Sequence, residues 1–465
     1  MSLILNDESI ETPHVSPEMP LLDFIRNQRG LTAAKPGCGT GDCGSCLVLV
    51  GEKAPGETQA RYRTVNSCLM TLADAEGCHI ITPEGLNGEA LSPVQLALVE
   101  HGAVQCGYCT PGLVVALTGA LLNGESPVEA AEGNLCRCTG YAGIRRACED
   151  LDTQFIRRER TLAEAAVSGL LSALVAAASA GLKPLAEEKR PTHGNHLRFR
   201  AGNTDLGVQH AHQADDATAS IRLHRVPSLR AITLHERHVS VGAAVTLAEL
   251  RQDSTLQEEW PLLGHFLSQF ASPSIRHMAT VGGNLVNASP VADLAVLLLS
   301  MDAELVLQSA SQERRCSLAD FYLAYHQTAL RPDELLTAIR IPRNTDVSRR
   351  LHAEKVAKRE RDDIATVNSA MTVSNGLPGC FGEVRISAGG VAAFPKLLMA
   401  TSAFLSGEPV NAAIIREAMT LLDGEIAPID DLRGSADYKR RLLKHLLLAH
   451  VLALYPELRL EDCLP

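Results

Sequence analysis

Cysteine is the residue type whose number and spacing in this chain point most directly to chemistry. The 465-residue sequence contains 13 cysteines, and nine of them precede residue 140. Eight of the cysteines form two sets, which are Cys38, Cys43, Cys46 and Cys68, and Cys106, Cys109, Cys136 and Cys138. In a protein without secretory features, clustered thiols are more often metal ligands than disulfides. We therefore expect two metal centres in the N-terminal part of the chain.

The first set has the spacing C-x4-C-x2-C followed by a distant fourth cysteine, which is a ligand pattern of 2Fe-2S clusters. Three thiolates on one loop can surround a cluster only if the backbone turns sharply and approaches it closely. The loop contains four glycines that permit this: Gly37, Gly39, Gly41 and Gly44. A structural zinc site also uses four cysteines, but more often in two separated C-x2-C knuckles. The pattern therefore favours a 2Fe-2S cluster.

The second set combines C-x2-C with C-x-C, and each pair is expected at the start of a helix. Two facing helix N-termini would gather the four thiolates, and their positive dipole ends would offset the charge of a cluster. Taken alone, this pattern is also compatible with zinc. Beside the first set, a second 2Fe-2S cluster is the better interpretation. The other cysteines are expected to be buried thiols: Cys78, Cys148, Cys316, Cys380 and Cys463.

The composition indicates a cytosolic-type globular protein of about three domains. The net charge of −11, without a long Lys/Arg block, argues against a nucleic-acid partner. The N-terminus lacks the basic and apolar regions of a signal peptide, so a cytoplasmic location is expected. The longest apolar stretch, residues 162–182, contains Glu164 and Ser168 and predicts a docked or linker helix rather than a membrane span.

Local patterns predict the elements that position the cysteines. Alternating apolar residues around Asn6-Asp7 predict a β-hairpin, and residues 47–50 predict a buried strand after the glycine-rich loop. From Ser92 the pattern changes to short helices, with starts at Ser92-Pro93 and Ser126-Pro127 and a stop at Asn123-Gly124. Further strands are predicted at residues 197–200, 239–241, 303–307 and 386–388.

Two glycine-bearing segments, residues 200–207 and 280–285, stand out in the second half of the chain. Neither forms a G-x-G-x-x-G motif after a strand, which disfavours a Rossmann nucleotide site. Two such loops can instead cradle one pyrophosphate through backbone N–H groups.

The runs at residues 105–112 and 133–141, QCGYCTPG and GNLCRCTGY, resemble the paired cysteine signatures of the molybdenum hydroxylases. This family includes xanthine dehydrogenase, aldehyde oxidase and carbon monoxide dehydrogenase. The resemblance covers residues 1–150 in the same order. It departs at Pro36, where the family usually has glutamate, and this bears on cluster tuning rather than on cluster binding.

The resemblance continues into the second half and implies that the chain binds FAD. The implied contact residues are Phe199, Arg200, Ala201, Gly202, Asn203, Thr204, Asp205, Leu206, Phe270, Thr280, Val281, Gly282, Gly283, Asn284, Asp293, Leu336 and Lys355. Without the resemblance, Leu336 would be interpreted as a core residue and Lys355 as a solvated one.

The resemblance also implies an α+β multidomain fold. Its predicted segments are a β-grasp ferredoxin-like 2Fe-2S domain (1–82), a four-helix 2Fe-2S domain (83–152), a connector (153–190), a two-subdomain α+β FAD-binding domain (191–346) and a C-terminal α+β flavoprotein domain (347–465).

In such systems, electrons pass from a molybdopterin centre in a separate large subunit through the second and first clusters to FAD and then NAD⁺. No catalytic residue is expected in this chain, and a dimer of heterodimers is the expected assembly. The leading hypothesis is an electron-transfer subunit of the xanthine dehydrogenase type. In that type of enzyme, the complete complex converts hypoxanthine and xanthine to urate. The alternatives are a hydroxylase for another N-heterocycle or aldehyde, a self-contained flavin and iron-sulfur reductase, and a zinc-stabilised scaffold without redox function.

Overall fold

The computed structural model describes residues 1–53, 57, 60–157, 182, 184–185, 198–209, 220–343 and 349–463. Most of the predicted connector and of the apolar run at 162–182 lies outside these residues. None of the described helices is long and apolar enough to cross a membrane. The chain forms two compact units. The first unit consists of Met1–Lys189, Arg198–Arg225 and Ala271–Ala279, and the second of Arg190–Leu197, Val226–Phe270 and Thr280–Pro465.

The first unit is built on a five-stranded mixed sheet. Its strands, in sheet order, are Glu8–Glu11, Ser2–Leu5, His79–Ile81, Leu47–Glu52 and Arg61–Asn66. The first two form the predicted hairpin, and the second and third pair in parallel. Leu47 and Leu49 pack with the helical layer, whereas Val48 and Val50 pack on the opposite face. Because strand side chains alternate between faces, burial on both faces explains the continuous apolar run.

The predicted helical layer is confirmed. Its helices are Pro93–Glu100, Thr110–Asn123, Pro127–Ala130 and Ala142–Leu151. A capping box between Ser92 and Gln95 fixes the first helix start. Gly124, with φ of 68°, ends the second helix in the left-handed conformation that favours glycine.

The remaining helices and strands of the first unit are short. They are the α-helix Leu21–Asp23 with its π-helical continuation Phe24–Gln28, the 3₁₀ helices Pro83–Leu86, Ala131–Gly133 and Leu223–Arg225, the π-helix Asp152–Ile156, the parallel strands Arg198–Arg200 and Ser220–Arg222, and the helices Leu206–Gln209 and Pro273–Arg276.

The second unit contains two antiparallel sheets. The strands of one sheet, in order, are Glu313–Ser317, Glu304–Gln308, Leu335–Pro342, His238–Gly242 and Ile232–Leu234. Those of the other are Arg349–Val356, Val367–Ser374, Val384–Gly389 and Lys396–Leu397. A small hairpin joins Tyr322–Ala324 to Gln327–Thr328.

Helices cover these sheets, and the Val367–Ser374 strand is buried at every position. Met371 packs with the long C-terminal helix, whereas Asn368 and Thr372 hydrogen-bond to the opposite layer. The helices of the second unit are the 3₁₀ helices Pro227–Leu229 and Leu318–Asp320 and the α-helices Leu247–Gln252, Ser254–Glu259, Pro261–Ser268, Val281–Asn287, Asp293–Ser300, Met399–Leu405, Ala412–Glu425, Ala436–Leu454 and Leu460–Cys463.

Candidate functional site

The first cysteine set lies on the loop before one sheet strand and on the turn after its neighbour. Because Leu47–Glu52 and Arg61–Asn66 pair with each other, Cys46 and Cys68 come together, with their sulfurs 3.4 Å apart. Cys38 and Cys43 form the other pair. The hydrogen bond between these two thiols lowers the pKa of Cys38 to about 4 and raises the pKa of Cys43.

The loops of the second set differ from the prediction in one respect. Cys109 directly precedes the helix Thr110–Asn123, as expected for the C-x2-C pair. The prediction that the C-x-C pair also begins a helix is wrong, because that helix starts at Ala142. Gly140 and Tyr141 intervene with φ of 61° and 66°, and two successive left-handed residues turn the backbone before the helix can begin.

The second set is nevertheless brought together as two pairs, Cys109 with Cys136 and Cys106 with Cys138, in which each thiol is close enough to shift the pKa of its partner. Cys106 and Cys138 are exposed, whereas Cys109 and Cys136 are buried. Burial raises the pKa of Cys136, but hydrogen bonds from Thr139, Cys109 and Cys138 together outweigh this effect, so its pKa lies below the ordinary thiol value.

The paired arrangement of the thiols bears on the choice of metal. A 2Fe-2S cluster distributes four cysteines over two irons, whereas zinc requires four ligands around one point. Two pairs in each set therefore suit 2Fe-2S better than zinc.

The two cysteine loops are in direct contact. The backbone N–H of Leu135 donates to the carbonyl of Cys43 at 3.0 Å, and Asn134 Nδ2 donates to the carbonyl of Gly44 at 3.0 Å. A Cβ on Gly44, whose φ is 65°, would lie 2.4 Å from Asn134 Nδ2, and one on Gly112 would lie 2.1 Å from the Gly44 carbonyl. Only glycine at these positions lets the loops approach so closely.

One segment to which the sequence analysis assigned no role, Ala271–Ala279, packs onto both cysteine loops within the first unit. A Cβ on Gly41 would lie 2.7 Å from Ile275 Cδ1, and one on Gly133 would lie 2.8 Å from Ser272 Cβ. Contacts between positions so far apart in the sequence leave no local pattern by which to predict them.

The first implied flavin segment, which contains Phe199 to Leu206, belongs to the first unit. A Cβ on Gly202 would lie 1.9 Å from the Met278 carbonyl, so the glycine there serves close backbone packing. Asn203 has a φ of 57° and donates to the Leu69 carbonyl at 2.5 Å. Its Oδ1 and Arg200 Nη1 are buried without a hydrogen-bond partner among the described residues. Unsatisfied buried polar atoms are compatible with a polar ligand here.

The second implied flavin segment, Thr280 to Asn284, belongs to the second unit. Its backbone differs from the expectation that N–H groups of this segment cradle a pyrophosphate. The N–H groups of Val281 and Gly282 donate to the Val245 and Ala243 carbonyls at 2.9 and 2.8 Å. They are therefore occupied, and the expected pyrophosphate cradle of backbone N–H groups is not formed by them. Asn284 Oδ1, by contrast, is buried and lacks a hydrogen-bond partner within the described ranges, so its side chain fits a ligand contact better.

Asp293 and Lys355 form a buried ion pair in the second unit. Lys355 Nζ lies 2.8 Å from Asp293 Oδ2, with only 4% and 8% of the side chains exposed. Lys355 also donates to the Gln269 carbonyl at 3.0 Å, and Asn368 donates to Asp293 Oδ1 at 2.5 Å. Burial raises the pKa of Asp293, against the effect of Lys355. The alternative interpretation of Lys355 as a solvated residue is therefore wrong.

The last two implied flavin residues differ in their exposure. Leu336 is 3% exposed and pairs with Leu307 beside a register shift in the sheet, so its side chain is part of the core. Phe270 is half-buried. Flavin contact by each of these residues stays a prediction.

Four family models match consecutive parts of this chain. They are a 2Fe-2S iron-sulfur cluster binding domain (residues 3–73), a 2Fe-2S binding domain (82–149), the FAD binding domain in molybdopterin dehydrogenase (178–344) and the CO dehydrogenase flavoprotein C-terminal domain (352–454). The chain therefore carries two 2Fe-2S domains, an FAD-binding domain and a flavoprotein C-terminal domain, and this set of domains is like that of the small subunit of molybdenum hydroxylases. The predicted α+β multidomain fold class and the family resemblance are thereby confirmed.

Curated relatives of these domains match along most of this chain. The xanthine dehydrogenase of Emericella nidulans is 28% identical over 474 residues, which cover 87% of this chain and 35% of the relative. Aldehyde oxidase 1 of Bos taurus is 27% identical and covers 94% of this chain and 38% of the relative. This chain therefore spans little more than a third of the length of these proteins.

Solved structures support the fold independently. A chain of carbon monoxide dehydrogenase from Hydrogenophaga pseudoflava matches with a TM-score of 0.52 and 25% identity, covering 56% of this chain and 91% of that one. A chain of quinoline 2-oxidoreductase from Pseudomonas putida 86 matches with a TM-score of 0.51 and 26% identity, covering 56% and 89%.

Proposed function

We propose that this chain is the electron-transfer subunit of a molybdenum hydroxylase, with the xanthine dehydrogenase type as the first candidate. In this proposal it binds two 2Fe-2S clusters and FAD, works with a molybdopterin-containing partner subunit and delivers electrons to NAD⁺. When bound, each cluster carries single electrons and FAD collects two. The observation that carries the proposal is two complete four-cysteine sets whose loops are joined by a backbone hydrogen bond.

The residues of the two sets have different parts in this proposal. Cys106 and Cys138 are exposed, and so are the apolar side chains beside them, Tyr108, Leu135 and Tyr141. Exposed aromatic and aliphatic residues around a cofactor are typical of a surface that a partner covers. The second set therefore suits contact with the molybdopterin subunit. The covalent backbone from Cys136 to Leu135 and the hydrogen bond from Leu135 to Cys43 form a short path from the second loop to the first.

The partner and the substrate rest on the comparisons. The matching FAD-binding model is that of molybdopterin dehydrogenases, and the carbon monoxide dehydrogenase structure is of an enzyme that lacks the Mo-pyranopterin moiety of its molybdenum cofactor. Xanthine dehydrogenases and aldehyde oxidases match along nearly the whole chain, whereas the carbon monoxide and quinoline enzymes match over 56% of it. This continuity is shared by the xanthine dehydrogenase and aldehyde oxidase types, of which we propose the xanthine dehydrogenase type as the first candidate and an aldehyde or N-heterocycle hydroxylase as the second.

Cofactor analysis of the purified chain tests the first part of the proposal. We expect a brown protein with about four irons and four sulfides per chain and one FAD. A colourless protein with stoichiometric zinc would instead support the scaffold alternative and overturn the proposal.

Steady-state assays of the complex with its molybdopterin partner test the second part. Xanthine, an aliphatic aldehyde and quinoline are compared as substrates, each with NAD⁺ and with O₂ as acceptor. The xanthine dehydrogenase type predicts the highest kcat/KM for xanthine with NAD⁺. A preference for an aldehyde or quinoline would identify the second candidate.

A further inference from the structure

The loop of the second cysteine set holds a threonine hydroxyl against a ligand sulfur. Thr139 Oγ1 lies 3.1 Å from Cys136 Sγ, and it accepts a hydrogen bond from the backbone N–H of Tyr141 at 3.2 Å. The amide can only donate, and a thiolate bound to iron can only accept. The single hydroxyl proton of Thr139 is therefore directed at Cys136 Sγ.

The turn that contains Thr139 fixes this geometry from both ends. Gly140 and Tyr141 adopt consecutive left-handed conformations, with φ of 61° and 66°, and this returns the Tyr141 N–H to Thr139 Oγ1. At the other end, the Tyr141 hydroxyl accepts from the Cys136 N–H at 3.0 Å. The Cys136 N–H is occupied in this way, and the Thr139 hydroxyl is a side-chain donor to Cys136 Sγ.

We infer that Thr139 is a positioning residue that raises the reduction potential of the second cluster by donating a hydrogen bond to Cys136 Sγ. The inference rests on the proposed function, because it requires a 2Fe-2S cluster on the second cysteine set. Hydrogen bonds to ligand sulfurs are one of the factors that set the potentials of iron-sulfur clusters.

The direction of the effect follows from charge. Reduction adds one electron, supplied by the partner subunit or by a chemical reductant such as dithionite, and increases the negative charge shared by the ligand sulfurs. The Thr139 proton stays on Oγ1, and no covalent bond forms or breaks. A hydrogen bond to Cys136 Sγ is stronger when the sulfur carries more negative charge, so Thr139 stabilises the reduced cluster more than the oxidised cluster.

The test is a redox titration of the full chain, followed by electron paramagnetic resonance, for the wild type, Thr139→Val and Thr139→Ser. Valine has the shape of threonine without the hydroxyl, and serine keeps the hydroxyl. We expect Thr139→Val to lower the equilibrium constant for reduction of one cluster by about tenfold, which is about 59 mV for a one-electron couple. The other cluster serves as an internal control and should keep its potential, and Thr139→Ser should resemble the wild type.

The outcomes separate this inference from the function on which it rests. If both clusters are present in Thr139→Val and neither potential moves, or if both potentials move equally, the inference is wrong and the proposed function stands. A wild-type protein without iron would instead overturn the proposed function.

A measurement on the wild type covers the case in which Thr139→Val fails to load its cluster. A brief transfer of the reduced protein into D₂O exchanges hydroxyl protons faster than buried amide protons. Electron-nuclear double resonance should then lose one strongly coupled proton signal from the second cluster. Retention of every strongly coupled proton would overturn the inference.

Discussion

The two compact units position their candidate residues in opposite ways. In the first unit, the cysteines lie on loops whose path is set by the backbone, through left-handed glycines such as Gly44 and the hydrogen bond between Leu135 and Cys43. In the second unit, the charged candidates Asp293 and Lys355 are buried and satisfy each other. The first site therefore depends on ligand atoms and backbone conformation, and the second on compensation of buried charge.

The largest expected effect is the loss of a cluster from the first unit. Cys43→Ser and Cys109→Ser each remove one thiolate from a different set. We expect each variant to lose one cluster, so that the iron content falls from about four to about two per chain. Each should also lose a different electron paramagnetic resonance signal of the reduced protein.

Cys316→Ser is the matched control, because Cys316 belongs to neither set and lies in the second unit. It should keep the full iron content and both signals. If Cys43→Ser and Cys109→Ser keep the wild-type iron content and both signals, the cysteines are not cluster ligands and the comparison of the two units loses its basis.

The next largest effect concerns the buried ion pair of the second unit. Lys355→Met leaves the Asp293 carboxylate buried without its counter-charge, and breaking such a pair costs about 3–5 kcal/mol. Urea unfolding followed by circular dichroism measures the change. Lys358→Met is the control, because Lys358 is an exposed lysine that donates a hydrogen bond to the Leu432 carbonyl, and it should change stability by less than about 0.5 kcal/mol.

A double variant separates the stability of this pair from flavin binding. Asp293→Leu combined with Lys355→Met removes both charges, and we expect it to recover most of the lost stability. If the two residues also hold FAD, the double variant should be stable yet depleted of FAD. A stable double variant with full FAD content would remove both residues from the flavin site.

A smaller effect separates two glycines of the first cysteine loop. Gly39 and Gly44 have φ of 73° and 65°, but a Cβ on Gly39 meets no described atom within 4 Å, whereas one on Gly44 lies 2.4 Å from Asn134 Nδ2. We expect Gly39→Ala to cost about 1 kcal/mol from backbone strain alone. Gly44→Ala should cost about 3 kcal/mol because overpacking is added. Thermal unfolding monitored by cluster absorbance compares the variants, and equal losses would show that the contact between the loops is unimportant.

The same contrast explains what could be predicted from the sequence. The candidate cluster ligands could be predicted because a cluster would require particular residue types at fixed short spacing, as in Cys38, Cys43 and Cys46. The helix start after Cys138 was predicted wrongly because nothing local to the cysteine motif signals that Tyr141, a non-glycine residue, adopts a left-handed conformation.

Contacts between residues far apart in the sequence could not be predicted from local patterns. From the sequence alone Lys355 is interpreted as a solvated lysine, because its contact with Asp293 exists only in the folded chain. Similarly, Ile275 has no motif of its own, and its packing against Gly41 becomes visible only when the first unit is assembled. Both residues depend on tertiary neighbours that lie tens to hundreds of positions away in the sequence.

A last expected effect, similar in size to the difference between the two glycine variants, is a pH dependence of the second unit. His450 is fully buried, and its Nδ1 lies 2.8 Å from Nδ1 of His352, which also lies near Glu354. Burial, with a smaller contribution from His352, lowers the pKa of His450 to about 3. Because this value is below that of the unfolded chain, about 6.5, the unfolded state binds the proton more readily. The contribution of neutral His450 to the free energy of unfolding is therefore fully present above pH 6.5, and it is lost as the pH falls toward 3.

Between pH 7 and pH 5, His450 alone should reduce the free energy of unfolding by about 2 kcal/mol. Urea unfolding at the two pH values measures this loss, and His450→Leu should abolish that part of it because leucine binds no proton. His445→Leu, which changes an exposed histidine on the same helix, should retain the wild-type pH dependence. If His450→Leu keeps the full pH dependence, the titration belongs to other groups, and the acid sensitivity of this unit does not arise from His450.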